Sequence, residues 1–297
     1  MSAKGALRDD FDWDSPDLRA LVAAALEEDA GAGDLTTAAT VAPSVRARAR
    51  LLAKQELILA GLPVAERVFR QLDPGLRFAA RCAEGARAPT GAVIAELDGK
   101  ACAILTGERT ALNFLAHLTG VATLTRRFVA ALAASGTRLR DTRKTTPLLR
   151  WLEKYAVRVG GGVNHRFSLS DGVLIKENHI AAAGGIAAAV RAAREAAAGP
   201  GWPVEIEVRN EAELRQALAA GPDEVLLDNF APTEAARMVA IVRRERPGCC
   251  VELSGGITLE NVAAFGSAGA DFVSIGALTH SAPAADFSLL VEWAGVE

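Results

Sequence analysis

The second half of the chain alternates short apolar runs with segments of helical length. The runs are Leu139 to Thr142, Gly172 to Ile175, Val204 to Val208, Glu224 to Leu227, Cys249 to Leu253 and Asp271 to Ile275. Helix-end signals separate them: Pro147 as a first-turn residue, caps at Asn210, Thr233 and Thr258, and closing glycines at Gly221 and Gly269. Repeated strand–helix units with apolar strands predict a parallel sheet covered by helices, and this many units favour a barrel over a doubly wound sheet.

Residues 46 to 105 show a different, shorter alternation. Strand candidates are Ala47 to Ala53, Leu76 to Ala83, Ala92 to Leu97 and Ala101 to Leu105, around a helix near Pro63 to Gln71. This pattern predicts a small α+β domain, joined to the barrel by a helix from Glu108 to about Ala134. We therefore expect one domain over residues 1–115 and a barrel domain over 116–297, with the last helix able to pack back on the first domain.

Composition narrows the class of protein. Half of the 297 residues are hydrophobic and 23% are charged, which excludes a disordered or low-complexity chain. The longest uncharged stretch, sixteen residues between Arg109 and Arg126, is too short to span a bilayer. The charged N-terminus (Lys4, Arg8, Asp9, Asp10, Asp12) argues against a signal peptide, and the four cysteines have no paired spacing. We expect a cytoplasmic protein without a membrane or nucleic-acid partner.

Polar residues follow every predicted strand of the barrel. They are Asp141, Thr142, Arg143 and Lys144 after the first run, then Lys176, Glu207, Asp228, the segment Ser254-Gly255-Gly256, and Gly276. In such barrels the working residues stand at the carboxyl ends of the strands, so these groups should share one face. The two glycine loops, Ser254-Gly255-Gly256 and Ile275-Gly276-Ala277, expose backbone N–H groups and predict a phosphate site.

Positive charge is concentrated in one segment. Residues 138 to 176 hold nine Lys or Arg against three acids, a local charge of +6, whereas the whole chain carries −3 and the remainder therefore −9. A pocket for a small polyanion explains this cluster, and a solvated face is the alternative. Within it, Arg143, Lys144, His165, Arg166 and Lys176 are expected at the ligand. Arg150, Lys154 and Arg158, spaced by four, are expected on the solvated face of a helix.

Two acids lie inside this basic site. Glu207 and Asp228 at neighbouring strand ends suggest either a divalent metal with its waters or hydrogen bonds to sugar hydroxyls. Glu205 shares the strand face of Glu207, and the residue pattern alone does not decide which of the two reacts. The histidines, at positions 117, 165, 179 and 280, lack the spacing of a zinc or iron site.

Several motifs together resemble one enzyme family. They are Glu28-Asp29 with Gly31 and Gly33-Asp34, Gly107-Glu108-Arg109-Thr110, Asp141-Thr142-Arg143-Lys144-Thr145-Thr146-Pro147, Glu153-Lys154-Tyr155, Gly160-Gly161-Gly162-Val163-Asn164-His165-Arg166, Leu174-Ile175-Lys176, Leu227-Asp228-Asn229-Phe230, Ser254-Gly255-Gly256-Ile257 and Gly276-Ala277-Leu278-Thr279-His280. This combination, which covers nearly the whole chain, resembles quinolinate phosphoribosyltransferase. The resemblance departs at Leu148, where relatives usually have Gly, and at Val159, where Cys is frequent.

The resemblance implies a fold, a reaction and residue roles. The fold would be a small N-terminal α/β sandwich plus an incomplete α/β barrel, in a homodimer or larger assembly where Arg109 enters the neighbouring subunit's site. Quinolinate and phosphoribosyl pyrophosphate would be the substrates, with Mg²⁺, in NAD biosynthesis. Arg143, His165, Arg166 and Lys176 would surround the two carboxylates. Thr142 would also bind substrate, and Lys144 would stand between both substrates. Glu207 and Asp228 would contact the ribose and would bind Mg²⁺, directly or through water. The two glycine loops would bind the 5′-phosphate.

Other activities remain open at this point. Within the same fold, the acceptor could be nicotinate or another pyridine acid, although five basic side chains favour a dicarboxylate. A Schiff-base aldolase that uses Lys176 and a non-catalytic sugar-phosphate-binding protein are alternatives from other classes. For the transferase, Lys144, Lys176, Glu207 and Asp228 are the expected catalytic residues, acting through position and charge rather than through an acid–base pair.

Overall fold

The computed structural model describes residues 11–199 and 201–293. Lys4, Arg8, Asp9 and Asp10, which argue against a signal peptide, lie outside the described residues. The described chain divides into two compact units that alternate along the sequence. The barrel unit comprises residues 125–145 and 161–280, and the N-terminal unit comprises residues 11–124, 146–160 and 281–293.

The elements follow one another in a mixed order that becomes regular after residue 138. In chain order they are α1 (Pro16–Ala30), α2 (Leu35–Thr40), β1 (Arg46–Ala53), β2 (Leu57–Ile58), α3 (Leu62–Leu72), β3 (Arg77–Ala80), β4 (Arg87–Ala88), β5 (Val93–Lys100), α4 (Ala101–Leu132), β6 (Arg138–Arg140), α5 (Arg150–Gly160), β7 (Val173–Ile175), α6 (Glu177–Ala183), α7 (Ile186–Ala197), β8 (Val204–Val208), α8 (Glu211–Ala220), β9 (Glu224–Asp228), α9 (Pro232–Glu245), β10 (Cys250–Ser254), α10 (Val262–Gly266), β11 (Phe272–Ser274), α11 (Ala277–His280) and β12 (Phe287–Trp293). The predicted domain boundary near residue 115 falls within α4 and stays a prediction.

The N-terminal unit is built on an antiparallel sheet. Within the described residues its strand order is β12-β1-β5-β3. Strand β1 alternates buried and exposed residues, with Ala47, Ala49 and Leu51 buried and the arginines between them exposed. This period of two shows that one face of the sheet is covered and the other meets solvent.

The barrel unit contains the predicted parallel sheet. Over the part of the chain described, its order is β6-β11-β10-β9-β8-β7, and each neighbouring pair is parallel. The order leaves β6 and β7 at the two edges, so the barrel is incomplete, and a parallel bridge from Arg140 to Val163 extends the β6 edge. Ile206, Val225 and Val251 are fully buried in neighbouring strands. The predicted fold class is confirmed.

Helix ends follow the predicted signals in part. The side chain of Asn210 accepts a hydrogen bond from the Glu213 amide at 2.9 Å, and Gly221 ends α8 in the left-handed region, as predicted. The other starts are displaced: α5 begins at Arg150, α9 at Pro232 and α10 at Val262. Pro232 takes the first helical position of α9 because its missing N–H has no partner to lose there.

Three further expectations are wrong. Ala101 to Leu105 is not a strand, because α4 begins at Ala101 directly after β5; a short apolar run fits a strand and a buried helix equally well. The last described element is a strand, β12, which pairs with β1, and not a helix. Lys154 is not on a solvated face of α5 but fully buried. The i, i+4 spacing places residues on one helix face without saying whether that face is covered.

Within the described ranges, every helix is too short or too polar to traverse a lipid bilayer.

Candidate functional site

A cavity of about 520 Å³ opens at the carboxyl ends of the strands of the barrel unit. It is lined by fourteen of the fifteen predicted substrate-binding residues: Thr142, Arg143, Lys144, His165, Arg166, Lys176, Glu207, Asp228, Ser254, Gly255, Gly256, Ile275, Gly276 and Ala277. Twelve of them follow or end six different strands, whose carboxyl ends parallel pairing brings to the same edge of the sheet, and His165 and Arg166 follow the bridge residue Val163. Arg109 lies on an exposed position of α4 in the N-terminal unit. Its predicted entry into a neighbouring subunit stays a prediction.

The segment after β6 places the side chains of Arg143 and Lys144 at the cavity. The backbone N–H of Lys144 donates to the Thr142 hydroxyl at 3.0 Å, and its carbonyl accepts from the Thr279 hydroxyl at 2.8 Å. Gly276 makes room for the Lys144 side chain, because a Cβ at position 276 would lie 2.8 Å from the Lys144 Cδ atom. The Lys144 backbone is thus fixed from two directions, and its side chain lies over the second glycine loop.

Asp141 joins this segment to the one that carries His165 and Arg166. The Asp141 side chain is fully buried and accepts hydrogen bonds from the His165 backbone N–H and from the Asn164 amide, both at 2.7 Å. The Asp141 N–H also donates to the Val163 carbonyl at 3.1 Å. One buried carboxylate therefore holds the segment that carries Arg143 and Lys144 next to the segment that carries His165 and Arg166. The sequence placed Asp141 only among the polar residues expected on the working face, and its contact with residues 164 and 165 becomes visible only in the fold.

His165 has protein partners at both ring nitrogens. Its Nδ1 accepts the Arg166 backbone N–H at 2.7 Å, and its Nε2 lies 3.0 Å from a Glu205 carboxylate oxygen. Because Nδ1 is an acceptor, the neutral ring carries its proton on Nε2 and donates it to Glu205. His165 therefore fixes the backbone of Arg166 as well as lining the cavity.

His165 borders a buried ionic cluster that the sequence did not predict, since its Nε2 atom lies 3.8 Å from a Glu252 oxygen. Arg140 donates to Glu224 at 2.6 Å and to Glu252, and its guanidinium carbon stands 3.5 Å from the centre of the Phe272 ring. Burial alone would lower the pKa of Arg140, but attraction from the buried acids, led by Glu252, outweighs burial and raises it. Each of these residues sits on a different strand, so only the fold brings them together.

Two buried acids in this region, Glu205 and Glu252, have pKa values well above the usual range of a carboxyl group. Burial, followed by repulsion from Glu224, raises the pKa of Glu205 to about 8. Burial, followed by repulsion from Glu205, raises the pKa of Glu252 to about 7. His165, Glu205 and Glu252 offer three potential ligand atoms within 4.8 Å of one another. Because Arg140 already binds Glu252 and His165 already binds one oxygen of Glu205, we assign the group to an ion-pair network rather than to a metal site.

Two other acids face the cavity. Glu207, near the end of β8, forms an ion pair with the Lys176 ammonium group at 3.1 Å. Asp228 is the last residue of the neighbouring strand β9. Glu205 lies deeper on the same strand and does not line the cavity. Of the two, Glu207 is therefore the acid that a ligand in the cavity can reach, and its reactive role stays a prediction. Two accessible carboxylates on adjacent strand ends suit a hard divalent cation such as Mg²⁺.

The first glycine loop, at residues 254–256, contains two glycines in the left-handed region. Gly255 and Gly256 have φ angles of 97° and 62°, in the left-handed region that favours glycine. The Asn261 side chain accepts from the Thr258 N–H at 2.8 Å and donates to the Gly256 carbonyl at 3.0 Å, so it closes the turn. This closure explains why Thr258 is part of a turn and not the cap of α10. His280, which appeared in the sequence only as the last residue of the Gly276–His280 motif, also lines the cavity.

Comparison with known proteins agrees with this geometry. Residues 34–119 and 121–290 match the N-terminal and C-terminal domains of quinolinate phosphoribosyl transferase, respectively. The chain is 42% identical over 270 residues to the nicotinate-nucleotide pyrophosphorylase [carboxylating] of Mycobacterium leprae, covering 89% of this chain and 94% of that protein. It is 42% identical over 274 residues to the protein of the same name from Homo sapiens, covering 92% and 91%.

A solved structure extends the similarity to three dimensions. The structure of the nicotinate-nucleotide pyrophosphorylase from Francisella tularensis superposes with a TM-score of 0.89 at 41% identity, over 95% of this chain and 98% of that one. The sequence matches and the superposition both extend over nearly the whole chain. The protein belongs to the quinolinate phosphoribosyltransferase family.

Proposed function

We propose that this protein transfers the phosphoribosyl group of phosphoribosyl pyrophosphate to quinolinate, and releases pyrophosphate and CO₂ to form nicotinate mononucleotide for NAD biosynthesis. One observation carries the proposal. A single cavity combines the cations Arg143, Lys144, Arg166 and Lys176 with two accessible carboxylates and two glycine loops. The cations suit a dicarboxylate, and the loops suit a phosphate.

The two ends of the cavity divide the work. Arginine offers a planar fork matched to carboxylates, so Arg143 and Arg166 bind the quinolinate carboxylates together with Lys176. Thr142 and His165 support this end, through the bonds that fix Lys144 and Arg166. The ribose hydroxyls meet Glu207 and Asp228, and the N–H groups of the loops at 254–256 and 275–277 cradle the 5′-phosphate.

The chemistry needs position and charge more than proton transfer. The bond from the anomeric carbon to pyrophosphate breaks with its electron pair on the leaving group, and the quinolinate nitrogen donates its lone pair to that carbon. The ring nitrogen becomes positive, so the electron pair of the adjacent carbon–carboxylate bond can stay on the ring as CO₂ departs and a proton takes its place. Correct alignment of two bound reactants can supply roughly 7 to 11 kcal/mol of such a barrier.

Charge stabilisation explains the mixed signs of the site. Lys144 lies over the glycine loop at Gly276 and is placed to stabilise negative charge between the two substrates. Glu207 and Asp228 would hold Mg²⁺, directly or through water, and the ion would offset the charge of the pyrophosphate. Lys176 balances Glu207 through their 3.1 Å ion pair and is available to a substrate carboxylate.

A Schiff-base aldolase fits the structure less well. A lysine nucleophile is activated by an apolar pocket or by a neighbouring cation. The Lys176 side chain is instead half exposed and ion-paired with a carboxylate. Borohydride with a carbonyl substrate should leave Lys176 unmodified, and covalent capture there would contradict the transferase assignment.

The assay combines the protein with Mg²⁺, phosphoribosyl pyrophosphate and either quinolinate or nicotinate, and follows mononucleotide, pyrophosphate and CO₂. We expect turnover with quinolinate. Turnover with nicotinate alone would show the acceptor to be wrong, and failure to release pyrophosphate with either acid would indicate a binding protein.

We further propose a cytoplasmic homodimer or larger assembly in which Arg109 completes the neighbouring active site. Its exposed position on α4 is compatible with this role. Arg109→Ala should abolish turnover in a folded protein, as should Lys176→Ala. Mixing the two variants under subunit exchange should restore activity in hybrid sites, and the absence of any restoration would contradict the shared site.

A further inference from the structure

Asn229 has an unusual backbone at a functional strand end. It directly follows Asp228, and its φ is 60°, in the left-handed region. Among the described residues, Leu148 is the other non-glycine residue with a positive φ. Asn tolerates this conformation better than most residues, and strained backbone often persists where a site needs it. The motif Leu227-Asp228-Asn229-Phe230 was noted in the sequence, but the function proposed above gives Asn229 no role.

Both the side chain and the backbone of Asn229 contact functional elements. Its Nδ2 donates to the Asp228 Oδ2 atom at 2.8 Å, and its backbone N–H donates to the Ser254 carbonyl at 2.9 Å. A single residue thus links the accessible carboxylate at the end of β9 to the first glycine loop. The hydrogen bond from the Asn229 side chain uses one carboxylate oxygen of Asp228, so the other oxygen can bind a ligand.

Asn229 also explains why Gly255 must be glycine. A Cβ at position 255 would lie only 2.1 Å from the Asn229 Oδ1 atom and 2.9 Å from the Asn229 backbone nitrogen. The loop therefore packs directly on the Asn229 side chain. Substitution at either position should disturb the other, because atoms in such close contact do not respond independently.

We propose that Asn229 is a positioning residue that sets the distance between the Asp228 carboxylate and the Ser254–Gly256 loop. This inference rests on the proposed function, which assigns these two elements to the ribose and the 5′-phosphate of one substrate. Both groups belong to a single molecule, so their protein ligands must keep a fixed separation. Loss of Asn229 should weaken phosphoribosyl pyrophosphate binding and leave the quinolinate end intact.

Two substitutions separate the backbone from the amide. Asn229→Gly keeps the left-handed backbone and removes the amide, whereas Asn229→Asp keeps the size of the side chain and replaces the N–H donor with a second carboxylate beside Asp228. We expect KM for phosphoribosyl pyrophosphate to rise about tenfold in the Gly variant, which corresponds to about 1.4 kcal/mol, and further in the Asp variant. KM for quinolinate should change less than about twofold in the Gly variant.

A second measurement does not depend on turnover. Calorimetric titration with phosphoribosyl pyrophosphate and Mg²⁺, and separately with quinolinate, should reproduce the same selectivity. Gly255→Ala should weaken phosphoribosyl pyrophosphate binding in both the unaltered protein and the Asn229→Gly variant, because an alanine is strained at a φ of 97° in either background. The loss of affinity should be about tenfold smaller in the Asn229→Gly variant, because the collision of the new Cβ with the Asn229 Oδ1 atom at 2.1 Å is absent there. Asn210→Asp, in a cap that needs only an acceptor oxygen, is the matched control and should change neither affinity.

The outcomes distinguish the two proposals. If both Asn229 variants bind the two substrates equally more weakly, the substitution has caused a general loss of structure. If both variants keep wild-type affinities, the hydrogen bond from the Asn229 side chain to Asp228 is dispensable. Either result overturns the positioning role. If the unaltered protein binds quinolinate but not phosphoribosyl pyrophosphate, the proposed function itself fails. If it binds both and only the Asn229 variants behave unexpectedly, the function stands and this inference falls.

Discussion

Replacing Arg140 should lower the free energy of unfolding of this protein more than most single substitutions. Its side chain is 13% exposed, and those of its partners Glu224 and Glu252 are 11% and 1% exposed. Solvent can therefore do little to replace the guanidinium once it is gone. Removing one partner of a buried ion pair leaves an uncompensated charge and costs about 3 to 5 kcal/mol. We expect a loss of this size in the free energy of unfolding of Arg140→Met.

The loss should depend on pH in a definite direction. In the native protein the pKa of Glu252 is raised to about 7, above the 4.5 of an unperturbed carboxyl, and without Arg140 its folded-state pKa should rise further. An acid whose pKa is higher in the folded state stabilises the protein fully below the unfolded pKa and loses this contribution as pH rises through the folded one. Arg140→Met should therefore be more harmful at about pH 8 than at about pH 5.

Urea unfolding at both pH values, followed by tryptophan fluorescence and circular dichroism, measures this difference. Arg138→Met is the matched control, since Arg138 lies on the same strand and 4.4 Å from the same Phe272 ring but is exposed. Adding Glu252→Gln to Arg140→Met should recover part of the stability by removing a stranded charge. If Arg140→Met is no more harmful than Arg138→Met, or equally harmful at both pH values, the charge argument is wrong.

Three smaller predictions test other parts of the structure. Leu148 is 87% exposed with a φ of 67°, so Leu148→Gly should raise the free energy of urea unfolding by about 0.5 to 1 kcal/mol, whereas Leu148→Ala, which keeps the Cβ, should not. Asp141→Asn removes an acceptor of the His165 N–H or the Asn164 amide and should raise KM for quinolinate at least about tenfold, more than KM for phosphoribosyl pyrophosphate. Burial raises the pKa values of Cys249 and Cys250 to about 11 and 12, so native protein near pH 8 should resist thiol reagents at these positions until urea is added.

The strands of the barrel and the polar residues at their ends were predictable because both depend on local order along the chain. Each apolar run between helix signals became a parallel strand, and parallel strands necessarily bring their carboxyl ends to one edge. The glycines at 255 and 276 were predictable for a related reason, since a residue without a Cβ after a strand marks a close approach of the backbone. What approaches them, the Asn229 and Lys144 side chains, was not visible in the sequence.

The failures arose where the sequence does not show what a segment will contact. The run from Ala101 to Leu105 is locally ambiguous and is helical because it continues into α4, whereas β12 is a strand because β1 offers it a partner more than 200 residues earlier. Asp141 acquires its role only when residues 164 and 165 return beside it. Periodicity reports whether a segment can bury a face, not what will cover it.

The interior acids show how the charge asymmetry of the sequence is resolved. Glu205 and Glu224 lie directly opposite one another on neighbouring strands, an arrangement that is destabilising for like charges. Attraction from Arg140 partly offsets that repulsion, and the His165 ring contacts Glu205 as well. In the absence of a polyanion, the cations of the cavity would repel one another, as Arg143 and Arg166 do: burial and then repulsion from Arg143 lower the pKa of Arg166, while attraction to Glu205 opposes both. Glu205 therefore offsets part of the unfavourable surroundings of Arg166 before substrate binds.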